Sequence, residues 1–258
     1  MRDANKVCAV LVEFRPSHVL HLAGVSGNGH ALQIQNVDTT RILFRSMVQL
    51  KLKARTVVAS SGSVYGEPAY LPQDEMHPTV PVLDYAKSKL EAEQAATAFA
   101  NEGGIPLTVA RIFNVVGPGS PSSLLPGSLA LQLAAIARET RPPKVVVGPL
   151  ESVRDYIDVR DCARAISVLA FASSTGVVNV SSGVGTPVRA IFESLRKIAR
   201  THGVESFEIE PARALPSSAR VHVGSNGRLA KAGFDLSVPL EQSLSDLFSW
   251  ALRAWATA

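Results

Sequence analysis

Arg55-Thr56-Val57-Val58-Ala59-Ser60-Ser61-Gly62-Ser63-Val64-Tyr65-Gly66 is the stretch that decides the fold. Its first half (55–60) is a short apolar run with β-branched residues, the composition of a buried strand. Its second half turns to glycine and serine, which end a strand and open a loop. Open α/β sheets take ligands in the crevice beyond the carboxyl ends of their strands, so a hydroxyl here faces that crevice.

The same alternation repeats on either side. Downstream, 84–101 reads as an Ala- and Glu-rich helix ending at Gly103-Gly104, and 106–112 as the next strand. Tyr85 and Lys89, in Tyr85-Ala86-Lys87-Ser88-Lys89, share one face of that helix. Arg111-Ile112-Phe113-Asn114-Val115-Val116-Gly117-Pro118 again stands at a strand's carboxyl end. Upstream, 17–22 reads as a strand ending in Ala23-Gly24, and 34–50 as a helix. Val7, Val10, Leu11 and Phe14 recur at helical spacing, although Val7 to Val12 also passes for a strand. Further helices are expected at 124–138, 159–172, 187–200 and 240–255, with short strands at 144–147 and 177–180. Such an order predicts an α/β fold, a doubly wound, mainly parallel sheet with helices on both faces.

The bulk numbers fit that fold and narrow the function. With 258 residues, 46% hydrophobic and 19% charged, the chain buries a full core. No apolar stretch is long enough to span a membrane, and the first residues carry no signal-peptide pattern. The net charge of +4 is scattered rather than clustered, so a nucleic-acid partner is not expected. Two cysteines, Cys8 and Cys162, fit reduced core thiols of a cytoplasmic protein better than a disulfide framework. The six histidines are dispersed and no metal site is expected. Asp155, Asp158 and Asp161 recur every third residue at a helix start, where capping accounts for them. Trp250 and Trp255 read as core or interface residues.

Tyr85 and Lys89 carry a definite chemistry. A free phenol has a pKa of about 10, and an adjacent ammonium favours its phenolate. Tyr85 can then pass a proton to or from an oxygen that changes between alcohol and ketone, with Ser61 hydrogen-bonding the same oxygen.

In this order the motifs resemble the extended short-chain dehydrogenase/reductases, the NAD-dependent epimerase/dehydratase group that modifies nucleotide sugars. His21-Leu22-Ala23-Gly24 matches the strand end that meets the cofactor, and Asn36 the cofactor-side asparagine. Ser61, Tyr85 and Lys89 match the catalytic trio, in which Tyr is the acid/base, Lys holds the nicotinamide ribose and Ser orients the substrate. The resemblance implies cofactor contacts at Leu22, Ala23, Gly24, Asn36, Ser60, Tyr85, Lys89 and Ile112. It implies substrate contacts at Ser61, Ser63, Asn114, Arg154 (in Arg154-Asp155-Tyr156-Ile157-Asp158) and Asn179 (in Asn179-Val180-Ser181-Ser182-Gly183). It implies NADP or NAD as cofactor, a nucleotide-sugar substrate and a homodimer. The runs 113–119 and 147–155 are most similar to GDP-4-keto-6-deoxy-mannose reductases and GDP-mannose 4,6-dehydratases. Dehydratases carry Asp-Glu directly after the catalytic hydroxyl, where this chain has Gly62-Ser63, so ketoreduction or 4-epimerisation is expected.

The family opens with a strand, a glycine-rich turn and a helix that hold the pyrophosphate. Gly24-Val25-Ser26-Gly27-Asn28-Gly29 follows the strand that the family places fourth and does not match that turn. The chain is therefore expected to enter the fold after its third strand, leaving Val19-Leu20 on an open edge. A partial Rossmann-like region is expected at 1–115. A mostly substrate-binding region is expected at 116–258, with about 157–180 returning to the sheet. The alternatives are a non-redox nucleotide-sugar binder or structural subunit that has lost dinucleotide binding and, further, a 4,6-dehydratase.

Overall fold

The computed structural model describes residues 3–25, 32, 34–173, 175–212 and 219–254. They pack into two compact units. The first comprises 1–113, 164–180 and 224–235, and the second 114–163, 181–223 and 236–258.

The first unit holds a four-stranded parallel sheet: β1 (His18–His21), β2 (Arg55–Ser61), β3 (Leu107–Ile112) and β7 (Gly176–Val180), side by side in that order. Helix α1 (Ala4–Phe14) starts on Asp3, whose carboxylate accepts the Lys6 N–H. Helix α2 (Thr39–Gln49) is preceded by a π-helical turn at Ile34–Asp38 rather than by the regular first turns expected from the sequence. The Thr39 and Thr40 hydroxyls donate to the carbonyls of Gln35 and Asn36, four residues back, a competition that loosens helical geometry. Helix α3 (Asp84–Gly103) buries Ala86, Ala92, Ala96 and Ala100, side chains small enough for a close approach. It ends at Gly104, whose φ of 59° suits glycine. Phe44, Met47, Val58, Ala96, Ala100 and Val109 form the core.

In the second unit β10 (Val221–His222), β6 (Val153–Asp158) and β4 (Asn114–Val116) run parallel, and β8 (Gly185–Pro187) joins β6 antiparallel. A separate pair is formed by β5 (Lys144–Val147) and β9 (Glu208–Pro211). Helix α4 (Leu125–Ala137) carries Gly127 where a Cβ would lie 2.3 Å from the Pro121 carbonyl oxygen, so only glycine fits. Helix α6 (Val188–Arg200) buries Val188, Ile191, Phe192, Leu195 and Ala199, one stripe at helical spacing. That stripe packs in one core with Leu129 and Leu133 of α4 and with Leu244, Leu247 and Phe248 of α8 (Leu240–Ala254). Trp250 packs against this core, and Trp255 lies outside the described residues.

Helix α5 (Val159–Phe171) begins in the second unit and continues into the first. Residues 164–180 belong to the sheet unit, as do 224–235 with helix α7 (Gly227–Lys231). Strand β6 was missed in the sequence because Asp155 and Asp158 interrupt its apolar pattern. The Asp155 carboxylate is buried against donors instead of capping a helix. Asp155 accepts Ser182 N–H, Ser182 Oγ and Gly183 N–H at 2.7–2.9 Å. Asp158 takes the Arg160 guanidinium and Ser243 Oγ (2.6 Å), and its bond from Arg160 N–H keeps a local capping role. Asp161 binds Ser237 and Val238 through their backbone N–H groups.

Candidate active site

Ser61 ends β2 with extended backbone and caps the single 3-10 turn Gly62–Tyr65. Its Oγ accepts the Ser63 N–H at 3.2 Å and the Ser63 hydroxyl at 2.9 Å. A serine hydroxyl offers two lone pairs and one proton. With both lone pairs taken, the proton remains to be given. Burial pushes the Tyr85 phenol above its ordinary value, and the neighbouring Ser61 hydroxyl pulls it back only in part. In the chain by itself Tyr85 is therefore an acid that keeps its proton at neutral pH.

Tyr85 stands in the first turn of α3, and Lys89, one turn on, is buried. The Lys89 ammonium donates to the Ala59 carbonyl at 3.1 Å and lies 5.9 Å from the centre of the Tyr85 ring. Burial lowers its pKa and the Glu93 carboxylate opposes that fall. Gly24, beyond the end of β1, faces the ammonium closely. A Cβ on it would sit 2.9 Å from Lys89 Nζ and 3.1 Å from Asn36 Oδ1. Asn36 is fixed by the Val25 N–H (2.9 Å) and by donation to Ser88 Oγ (3.0 Å).

A buried polar chain runs from this site. Ser60 Oγ donates to Glu93, and Arg111 grips the same carboxylate through Nε and a terminal nitrogen, the latter at 2.8 Å. The Arg111 guanidinium stacks over Tyr65 at 4.8 Å, and the Tyr65 hydroxyl donates to Asn179 Oδ1 at 2.7 Å. Burial raises the Tyr65 phenol to about 12, so it keeps its proton at neutral pH.

Within the first unit, then, Gly24, Asn36, Ser60, Ser61, Ser63, Tyr85 and Lys89 cluster around two strand ends. Leu22 and Ala23 are exposed just beyond β1, and Ile112 pairs with Ser61 across β2 and β3. Two of the expected site residues have committed side chains. The Ser60 side chain is buried on Glu93, so its hydroxyl is not free for a cofactor. Asn179 is fully buried and its amide is committed to Tyr65, to the Gln73 carbonyl and to the Ser225 carbonyl. It braces the loop at Gln73. Asn114 and Arg154 belong to the second unit, where Asn114 donates to the Asp155 carbonyl and Arg154 to those of Val153 and Arg220. Sequence reasoning passed over Glu93, although its i+4 spacing from Lys89 was visible. Ser26 to Gly29, within the run beginning at Gly24, lie outside the described residues.

Residues 1–181 match the NAD dependent epimerase/dehydratase family. The chain is 32% identical over 250 residues to GDP-6-deoxy-D-mannose reductase of Pseudomonas aeruginosa PAO1, covering 92% of this chain and 81% of that protein. It is 31% identical over 197 residues to dTDP-6-deoxy-L-talose 4-dehydrogenase (NAD(P)(+)) of Kitasatospora kifunensis, covering 75% of this chain and 62% of that one. Among solved structures it superposes on RMD from Pseudomonas aeruginosa complexed with NADPH, with a TM-score of 0.90 at 28% identity. That match covers 98% of this chain and 86% of that one. No described helix is long and apolar enough to cross a membrane.

Proposed function

The chain belongs to the NAD dependent epimerase/dehydratase family, and from that premise we propose that it reduces the C4 ketone of a nucleotide-linked 6-deoxy-hexulose. One observation carries the reading. Ser61 has both acceptor sites filled by Ser63 and keeps only a proton to give. Tyr85 is held protonated by burial. A ketone oxygen accepts and cannot donate, so two converging O–H donors suit it.

The residues at the end of β1 fit a dinucleotide. Gly24 leaves open the space that a Cβ would fill, beside Asn36 and Lys89. Among the described residues the Lys89 ammonium has one acceptor, Ala59 O, so its remaining N–H groups are available to ribose hydroxyls. A bound NAD(P)H supplies the hydride to C4. Ser61 orients the ketone, Tyr85 gives its proton as negative charge develops on the oxygen, and Lys89 stabilises the phenolate left behind. The Gly62-Ser63 pair places no carboxylate beside Ser61, which leaves C5 and C6 without an acid or base for dehydration. Asn114 and Arg154 are kept as substrate contacts on the family pattern alone. The proposal extends, on that pattern, to a cytoplasmic homodimer. Light scattering tests the dimer against the 27.4 kDa of one chain.

The test is transfer of deuterium from 4-deuterated NAD(P)H. One cofactor oxidised per sugar, with label at C4, is the expected result. Inversion at C4 without net oxidation makes the protein an epimerase. Saturable GDP-sugar binding with no NAD(P)H binding by fluorescence makes it a non-redox binder, and either outcome removes the reductase reading.

A further inference from the structure

Lys89 is surrounded by charges of unequal effect. Tyr85 and Glu93 lie one turn to either side of it on α3. His21 of β1 feels the Lys89 charge, and Arg111 of β3 stands behind Glu93. His21 Nε2 and Thr40 Oγ1 are 2.9 Å apart, and the Thr40 proton is already given to the Asn36 carbonyl. His21 therefore donates from Nε2 and stays neutral, its pKa pushed down to about 4 by burial and by Lys89. It adds no positive charge at neutral pH. Glu93 is the acidic group acting on Lys89.

The hold on Glu93 is unusual for a counter-ion. Its side chain is 6% exposed, and its oxygens are taken by Ser60 and by Arg111. Among the described residues no hydrogen bond joins it to Lys89. A carboxylate clamped in this way cannot swing onto the ammonium. It acts through its field across one helical turn, where low dielectric makes such fields strong. The Lys89 N–H groups thus stay on Ala59 O and free for a ligand.

We propose that Glu93 is a positioning residue for Lys89: clamped by Arg111 and Ser60, it supplies the buried counter-charge that keeps Lys89 an ammonium beside Tyr85. The inference rests on the reading that Tyr85 and Lys89 carry turnover, and it deepens that reading. It is tested without cofactor or substrate.

The full chain, labelled with 13Cε-lysine, is titrated by NMR, and Lys89→Arg identifies the Lys89 signal. In Glu93→Gln the Lys89 midpoint should fall by about one pH unit or more, whereas Glu93→Asp should hold it near the wild-type value. Glu93→Gln alone strands the buried Arg111, so Glu93→Gln/Arg111→Met serves as a second variant that removes both charges. Its midpoint should fall too, because Glu93 stands one helical turn from Lys89 whereas Arg111 stands behind it on β3. A folded Glu93→Gln, or a folded double variant, with an unmoved Lys89 midpoint overturns the proposal. A purely structural role for the ion pair predicts that unmoved midpoint. Full turnover in Lys89→Met would instead sink the functional reading and leave the titration result standing.

Discussion

Both units bury carboxylates, but they spend them differently. In the first, Glu93 meets a guanidinium and lies one turn from an ammonium, so its charge is felt by other charges. In the second, Asp155 and Asp161 hold backbone N–H groups and serine hydroxyls of loops at 182–183 and 237–238. A carboxylate bound by neutral donors pins a loop, whereas one bound beside a lysine sets how readily that lysine keeps its proton. Burial alone therefore does not mark a catalytic group; what the charge faces does.

The contrast predicts that changes at the first unit's cluster alter chemistry and that changes at the second's alter stability. Tyr85→Phe removes the proton donor and should lower turnover by about a thousandfold, with an unchanged melting curve. Asp155→Ala strands the donors of Ser182 and Gly183 and should cost about 3 kcal/mol in urea unfolding. A loss under about 1 kcal/mol would erase the distinction between the units. His21 offers a pH test of the first unit's own stability. Its folded value of about 4 lies below the ordinary 6.5, so the unfolded chain takes up the proton first as pH falls. The stabilisation is full above pH 6.5 and is lost between there and pH 4, up to about 3 kcal/mol, and His21→Gln should lack that slope. The smallest effect is expected from Ser63→Ala, which frees a lone pair on Ser61 and should lower turnover about tenfold. Ser63→Thr should restore it.

Much of this was legible in the sequence, and the failures have causes. Strands β2, β3 and β7 are buried apolar runs, and α3 is a long Ala-rich helix, so periodicity found them with their strand-end hydroxyl and Tyr-Lys pair. Strand β6 was hidden because periodicity reads burial as hydrophobicity, and Val153–Asp158 buries aspartates that find some of their donors about thirty to ninety residues away. The same long reach hid the role of Asn179, whose Tyr65 partner is 114 positions distant. Short strands such as β9 and β10, set by pairing rather than by composition, left no local signal.

The central claim is that Ser61 and Tyr85 donate to one ketone oxygen as a unit. A double-mutant cycle tests it directly, with NAD(P)H consumption measured on a nucleotide-linked 4-keto-6-deoxy sugar. Wild type, Ser61→Ala, Tyr85→Phe and the double variant are compared. The account predicts a large loss in each single variant and a double variant scarcely worse than Tyr85→Phe. Losses that simply multiply, or a Tyr85→Phe enzyme that turns over at the wild-type rate, would contradict it.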